Sequence, residues 1–433
     1  MDEERTLKYV KRLRPYSLNL GPGNTDPYVR EILEQRSVSE DNLYSQRLLN
    51  SVHFQFAIRR FKEEFADLRS TPIPTNQLDK VVWQPNTSAG YGYIGHKRDN
   101  YLKARSNASR TLYDFDKWRE IYRPVPDKAF ARCQLTLRAN AKVRHIWGRP
   151  FHHILLEGCI AQPILEKLLY NDNPIYIGKD LHKDLPYDIL RLMEEGGTAY
   201  CLDFSRFDST LCRGMISTVW DIIFWLCPPQ TEADLLNYKF CRYLFTNNPI
   251  VMPDGKLFIS TTGLPSGSYF TGIVGSIANL LLIYMLLSYF RRSTSKVKVL
   301  GDDSIFALLI PIVNPRKIET FLARYGMIVN LVKSIITKLF SEIVFLGHNY
   351  YGSRVTRDEF TCLSLALYSE NDVPTPAFSI VRLASLIYDS GFNSFGLLHI
   401  YKEMLSKHNI DWSLEDSRPT TVNHPFYELF VNS

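Results

Sequence analysis

Residues 297–308 read VKVLGDDSIFAL, and the reading of this stretch decides the fold. Two short apolar runs, 296–300 and 304–310, flank Gly301, Asp302 and Asp303, the pattern of a β-hairpin with two carboxylates at its tip. Such a tip presents hard oxygen donors, the type that Mg2+ takes while keeping waters and phosphate oxygens as its other ligands. Upstream, residues 198–210 read TAYCLDFSRFDST: a short buried strand ending at Asp203, with Asp208 five residues further on. Two strands ending in Asp, side by side in one sheet, would hold two metal ions about 3.5–4 Å apart, the arrangement of in-line phosphoryl transfer. Each piece alone is weak, because Gly-Asp-Asp and Asp-containing turns are ordinary structural punctuation.

Between the two acidic strands, residues 263–271 (GLPSGSYFT) open directly into GIVGSIANLLLIYMLLSYF at 272–290. A Gly- and hydroxyl-rich helix start offers free N–H groups to anions and lets a nucleotide backbone approach closely. The following run is uncharged and long enough to cross a bilayer. It holds Ser276, Asn279 and Ser288, and the chain has no second candidate, so the expectation is a core helix that is apolar all round.

In this order and company the chain resembles the viral RNA-dependent RNA polymerases, specifically those of partitivirus-like double-stranded RNA viruses. Asp203 and Asp208 match that family's motif A, residues 266–279 motif B and 301–303 motif C. On either side, 86–93 (NTSAGYGY) looks like the template-entry loop of motif G, 142–149 like the basic motif F, Lys333 like the lysine of motif D and 345–347 like motif E. The resemblance covers residues 86 to 350, and seven motifs in one order are highly specific.

The resemblance implies roles residue by residue. Asp203 and Asp302 would bind two Mg2+ ions, with Mn2+ as a substitute, and Asp303 would support them as a third metal carboxylate. Lys142 and Arg144 would pair with the triphosphate, with Arg149 as a third candidate; a surface charge is its other reading. Lys333 would act as general acid toward pyrophosphate, its other reading being an exposed lysine after a strand. Asp208 would accept a hydrogen bond from the ribose 2′-hydroxyl, and Ser266, Gly267 and Thr271 would complete the sugar and substrate contacts. Thr87, Ser88, Gly90 and Tyr91 would meet the template. One departure stands out: where many members have Asn or Asp four residues after the motif B threonine, this chain has Gly275, so Ser276 or Asn279 takes that role, or Asn279 is a hydrogen-bonded core residue.

The implied fold is α+β, a right-hand polymerase with an antiparallel palm sheet flanked by helices. Residues 1–197 would form the N-terminal region and fingers, 198–349 the palm with a fingers insertion near 228–260, and 350–433 a helical thumb. The reaction would be template-directed transfer of a nucleoside monophosphate from an NTP to an RNA 3′-end, for genome replication and transcription. The partners would be the RNA template and product duplex, NTPs and a viral capsid protein, with no membrane and no DNA, in the host cytoplasm and inside the virion. A reverse transcriptase and a non-catalytic RNA-binding palm protein are the rivals; Gly-Asp-Asp and the small Asp208, in place of a bulky aromatic gate, count against the first.

Composition agrees. With 433 residues, 45% hydrophobic and 22% charged, the chain is neither disordered nor a disulfide miniprotein. A net charge of +6, with basic runs at 8–14, 59–62, 96–105, 142–149 and 291–298, permits a polyanionic partner. Seven cysteines without a Cys-x-x-Cys pair point to a reducing compartment, and His152, His153 and Cys159 to core packing instead of zinc. The start, MDEERTLKYV, has no apolar region of a signal peptide.

Overall fold

The computed structural model describes residues 16–19, 38–132, 134–137, 144–183, 185–260, 262–294, 296–352, 354–369, 373 and 375–408. Lys142 and the basic run at 8–14 lie outside the described residues.

The apolar run forms the helix Thr271–Tyr289, and every residue from Ile273 to Leu287 is buried. By length and composition it could cross a membrane, yet protein covers it on all sides, which accounts for its lack of a polar face. The helix Val52–Glu64 packs along it through Phe54, Ala57 and Phe61. Polar groups at this contact are paired: the Tyr284 hydroxyl donates to Glu64, the Arg60 guanidinium lies 4.0 Å from the Tyr284 ring centre, and His53 Nδ1 is 2.9 Å from Ser288 Oγ. The helix Arg213–Leu226 and the strand Val297–Leu300 complete the surround.

Four strands make the central sheet, in the order Ile335–Thr337, Thr198–Leu202, Asp303–Leu308, Val297–Leu300, antiparallel throughout. Alternation fixes its two faces. Tyr200, Leu202, Phe306 and Leu308 join the main core with the apolar helix, while Ala199, Cys201, Ile305 and Ala307 pack on Leu185, Ile189 and Leu192 of the helix Leu185–Gly196. With both faces buried, the strands read as continuous apolar runs. Tyr200 and Phe306 are cross-strand partners whose rings stack at 5.1 Å.

A second sheet joins Arg144–Gly148, Asp127–Arg132, Asn248–Val251 and Leu257–Ser260 in that order, with Asp127–Arg132 and Asn248–Val251 parallel and the other pairs antiparallel. Its last two strands form a hairpin whose turn holds Gly255 at φ +83. The segment after the first acidic strand thus returns to the sheet that carries residues 144–148. The Tyr16–Asn19 strand pairs with Gln134–Leu137.

Strands Val344–Phe345, His348–Tyr351 and Arg354–Thr356 form a third, antiparallel sheet. Helices Glu359–Leu367, Pro376–Asp389 and Phe395–His408 follow around a small core of Cys362, Leu363, Leu383, Ile387 and Leu397. The division expected at residue 350 therefore falls inside a strand paired on both sides. The architecture is α+β.

Candidate active site

Register brings the acidic residues to one end of the central sheet. Leu202 pairs with Ser304 and Leu300 with Asp303, so Asp203 follows its strand out beside the hairpin tip. Gly301 and Asp302 are the two turn residues, and of the two only Gly301 has positive φ, +57, the type II′ pattern that matches the strand twist. Asp302 and Asp303 are exposed and Asp203 is half-buried.

Asp203 is gripped by its backbone. Its N–H donates to Ser334 Oγ at 3.0 Å, its carbonyl accepts from the Asn330 N–H at 2.8 Å, and the Ser205 N–H donates to the Ile328 carbonyl at 2.8 Å. The Ser334 hydroxyl in turn donates to the Asn330 carbonyl at 2.9 Å. Exposed Lys333 rides on this turn, its N–H on the Asn330 carbonyl at 3.2 Å. Asn330 and Ser334 were not singled out from the sequence; their only signal there is a pair of turn-forming polar residues around Lys333.

The apolar helix holds the hairpin from beneath. The Gly301 N–H donates to Ser276 Oγ at 2.9 Å, and Asn279 Nδ2 donates to the carbonyls of Gly301 at 3.0 Å and Asp303 at 3.2 Å. Both residues are 0% exposed. The expectation that Ser276 and Asn279 bind substrate is thus corrected: both are fully buried and bonded to the acidic turn, and no surface remains for a ribose. At Gly275 an added Cβ would sit 3.4 Å from Leu264 Cδ1, 3.6 Å from Gly301 Cα and 3.8 Å from the Phe207 ring.

The loop at 263–271 is built by close backbone approach. Gly263 (φ +78) passes so near Asp208 that a Cβ would lie 2.6 Å from its carbonyl oxygen, which also accepts from the Leu264 N–H at 2.9 Å. The Asp208 side chain is exposed. Ser266 Oγ accepts from the Trp147 N–H at 3.1 Å, and a Cβ on Gly267 would fall 1.6 Å from the Trp147 carbonyl oxygen. The Thr271 hydroxyl lies 2.6 Å from the Pro265 carbonyl and 2.9 Å from that of Ser268. Its proton is therefore spent on closing its own loop, and only lone pairs are left for a sugar.

Arg149 does not face a triphosphate. Its side chain is 0% exposed and bonded to Asp127 at 3.1 Å and to Glu157, with Asn248 Oδ1 at 3.0 Å. Glu157 also accepts from Ser268 Oγ and from the Tyr269 N–H, both at 2.8 Å. Burial disfavours the Arg149 charge, but Asp127 and Glu157 more than offset that, and its pKa stands above the ordinary value. The arginine fastens the second sheet and the helix Phe151–Tyr170 to the 263–271 loop. The backbone of Arg144 lies in the strand opposite Arg132.

The 86–96 loop abuts the same strand end. Gly90 has φ +80, and a Cβ there would lie 2.6 Å from the Arg149 carbonyl oxygen, while the Phe151 N–H donates to the Ala89 carbonyl at 2.9 Å. Thr87 and Ser88 are exposed, each with a local bond: the Thr87 hydroxyl to the Gln84 carbonyl at 3.0 Å and the Gly90 N–H to Ser88 Oγ at 3.2 Å. Tyr91 is 44% exposed. Tyr93 points inward, its hydroxyl 2.8 Å from His152 Nδ1. Burial pushes His152 down to about 4, so its ring is neutral at physiological pH. Buried His152 and His153 pack ring to ring at 4.2 Å, as the core reading expects. Gly90 on Arg149, Gly267 on Trp147 and Gly263 on Asp208 thus link loops far apart in sequence into one wall that ends at the acidic hairpin.

A family model described as viral RNA-dependent RNA polymerase matches residues 3–405. The chain is 26% identical over 293 residues to the RNA-directed RNA polymerase of Cryptosporidium parvum virus 1 (strain KSU-1), covering 64% of this chain and 55% of that protein. It is 24% identical over 345 residues to the RNA-directed RNA polymerase of Atkinsonella hypoxylon virus (isolate 2H), covering 67% and 51%. A stretch of 147 residues is 28% identical to part of the genome polyprotein of a bovine enteric calicivirus. The chain spans about half the length of the two viral polymerases.

Proposed function

Because the chain belongs to the viral RNA-dependent RNA polymerase family, we propose that it copies RNA for a double-stranded RNA virus, adding nucleoside monophosphates from NTPs to an RNA 3′-end in genome replication and transcription. The observation that carries this reading is the sheet register, which sets Asp203 beside Asp302 and Asp303 with the Lys333 turn bonded to the Asp203 backbone.

Three carboxylates at one sheet end are a hard-oxygen donor set, which fits Mg2+ or Mn2+ and not a thiolate- or imidazole-loving metal. Asp203 and Asp302 would hold the ions and Asp303 would support them. When bound, such ions supply an activated 3′-hydroxyl and neutralise the leaving group's charge. The chain's own groups do the rest. Lys333, exposed on its turn, delivers a proton to departing pyrophosphate. Asp208 and Ser266 border the ribose, and Lys142 and Arg144 neutralise the triphosphate. The 86–96 loop, with Thr87, Ser88, Gly90 and Tyr91, guides the template by its backbone, which gives no sequence preference.

In this reading the central sheet is the palm, residues before 198 and the returning segment near 228–260 are fingers, and the C-terminal helices are the thumb. The enzyme works in the host cytoplasm and within the virion, against a capsid protein.

The test is synthesis on a defined single-stranded RNA with Mg2+, offering NTPs and dNTPs to the wild type and to Asp302→Asn. Template-length product from NTPs, lost in the variant, is expected. A preference for dNTPs would identify a reverse transcriptase, and synthesis by Asp302→Asn at the wild-type rate would overturn the catalytic assignment.

A further inference from the structure

We propose that His182, His348 and Asp389 form a binding site for a zinc-type transition metal, separate from the catalytic carboxylates, that fastens the last helices to the body of the protein. Each residue offers one donor atom, and the three donors lie within 4.8 Å of one another. They come from three elements: the loop before the helix Leu185–Gly196, the hairpin that includes His348–Tyr351, and the last residue of the helix Pro376–Asp389.

Surrounding contacts aim these donors at one point. His348 Nδ1 is 2.6 Å from the Leu346 carbonyl, which leaves Nε2 as the nitrogen turned to the other two residues, 2.8 Å from Asp389 Oδ1. The hairpin that sets this orientation is unusual, since Leu346 (φ 54) and Gly347 (φ 70) both have positive φ, a type I′ turn with a strained leucine. Asp389 Oδ2 accepts from Arg357 at 2.6 Å, so one carboxylate oxygen is held by the protein while the other faces the histidines. The His182 ring packs against Tyr388 at 4.4 Å. Asp180 accepts from the His182 N–H at 2.9 Å and from the Tyr388 hydroxyl at 3.1 Å, which ties the His182 loop to the helix that supplies Asp389. Hydrogen-bonded ligands of this kind are the usual outer support of a metal site.

Donor chemistry selects the ion. Two imidazoles and one carboxylate suit Zn2+ and its neighbours, whereas Mg2+ and Ca2+ take oxygen. Tetrahedral zinc at about 2.0–2.1 Å from each ligand spaces its donors roughly 3.3 Å apart. His348 and Asp389 already stand at that scale, so half-buried His182 is the arm that closes on the ion, with water as fourth ligand.

The full-length protein, stripped with chelator and desalted after Zn2+ addition in excess Mg2+, should retain one zinc per chain. Co2+ should give the visible absorption of a tetrahedral complex. His182→Gln and Asp389→Asn should each lose the metal and its stabilisation against heat, while His399→Gln and Asp302→Asn should keep both. Retention by Asp302→Asn separates this site from the catalytic one, and the count does not depend on polymerase activity. Should Asp389→Asn fail to fold, His182→Gln alone decides. Equal zinc content in wild type and His182→Gln would overturn the site and leave a plain His348–Asp389–Arg357 ion pair.

Discussion

Gly267 and Gly275 belong to one loop and helix but carry opposite constraints. At Gly267 a methyl would occupy the Trp147 carbonyl oxygen, 1.6 Å away, and only backbone movement of the second sheet or of the loop could relieve it. Gly267→Ala should destabilise the fold by on the order of 3 kcal/mol and abolish synthesis, read by thermal unfolding and RNA product. At Gly275 the nearest atom is 3.4 Å off, an ordinary contact, so Gly275→Ala should fold and gain up to about 1 kcal/mol from helix propensity. Ser276 differs again: Ser276→Ala orphans the Gly301 N–H, for about 1–3 kcal/mol, and because that N–H belongs to the hairpin tip, kcat should fall while KM for NTP holds. An equal loss of both would mean a ribose contact after all. His152 sets a pH limit. Burial lowers it from 6.5 to about 4, so the folded state resists a proton that the unfolded chain accepts. Stability is full above pH 6.5 and declines between 6.5 and 4, by about 3 kcal/mol, with buried His153 shifted in the same direction. Replacing His152 with Gln should flatten the acid limb of a denaturation profile by about one proton.

At the scale of elements, what the sequence showed depended on whether the forces were local. The acidic hairpin was legible because a glycine at a two-residue turn and alternating apolar runs are local signals, and register then carried Asp203 to it. The apolar helix was legible for the same reason, as a composition that only full burial explains. Arg149 was not, because its neutralising partners Asp127 and Glu157 stand 22 and 8 residues away, and a buried arginine looks like a surface one until its acids are placed. Nor could spacing show that Ser276 and Asn279 turn toward the hairpin and away from substrate. Residue 350, where the helical thumb is expected to begin, lies in the strand His348–Tyr351, whose partners flank it on both sides and are set by pairing that no local signal marks. The Arg149 cluster makes a sharp prediction. Glu157→Gln weakens the charge-assisted bonds that join the helix Phe151–Tyr170 to the 263–271 loop but leaves Arg149 paired with Asp127, at a cost of about 1–3 kcal/mol. Arg149→Met strands both Asp127 and Glu157 without a countercharge and should cost more, about 3–5 kcal/mol. Replacing Glu157 by Met as well leaves only Asp127 stranded and should be milder than Arg149→Met alone, whereas an additive loss would show that the two act separately.

At the scale of the molecule, stability is unevenly shared. The main core runs from the helix Val52–Glu64 through the apolar helix to the central sheet, so its amides should open only with global unfolding. The C-terminal helices have a much smaller core of their own, with Phe378, Phe392 and Phe395 exposed. Among the described contacts, polar links such as His348–Asp389 and Tyr388–Asp180 join them to the rest. A unit with so little shared apolar area can open while the rest stays folded. Hydrogen exchange should therefore rank the helix Thr271–Tyr289 as slowest and Pro376–Asp389 and Phe395–His408 as markedly faster, with Asp389→Asn accelerating only the latter pair. A single common rate for all three helices would mean that the C-terminal unit unfolds only with the whole. In the polymerase reading the same low local stability has a use, since a thumb must yield as a product duplex grows out of the site.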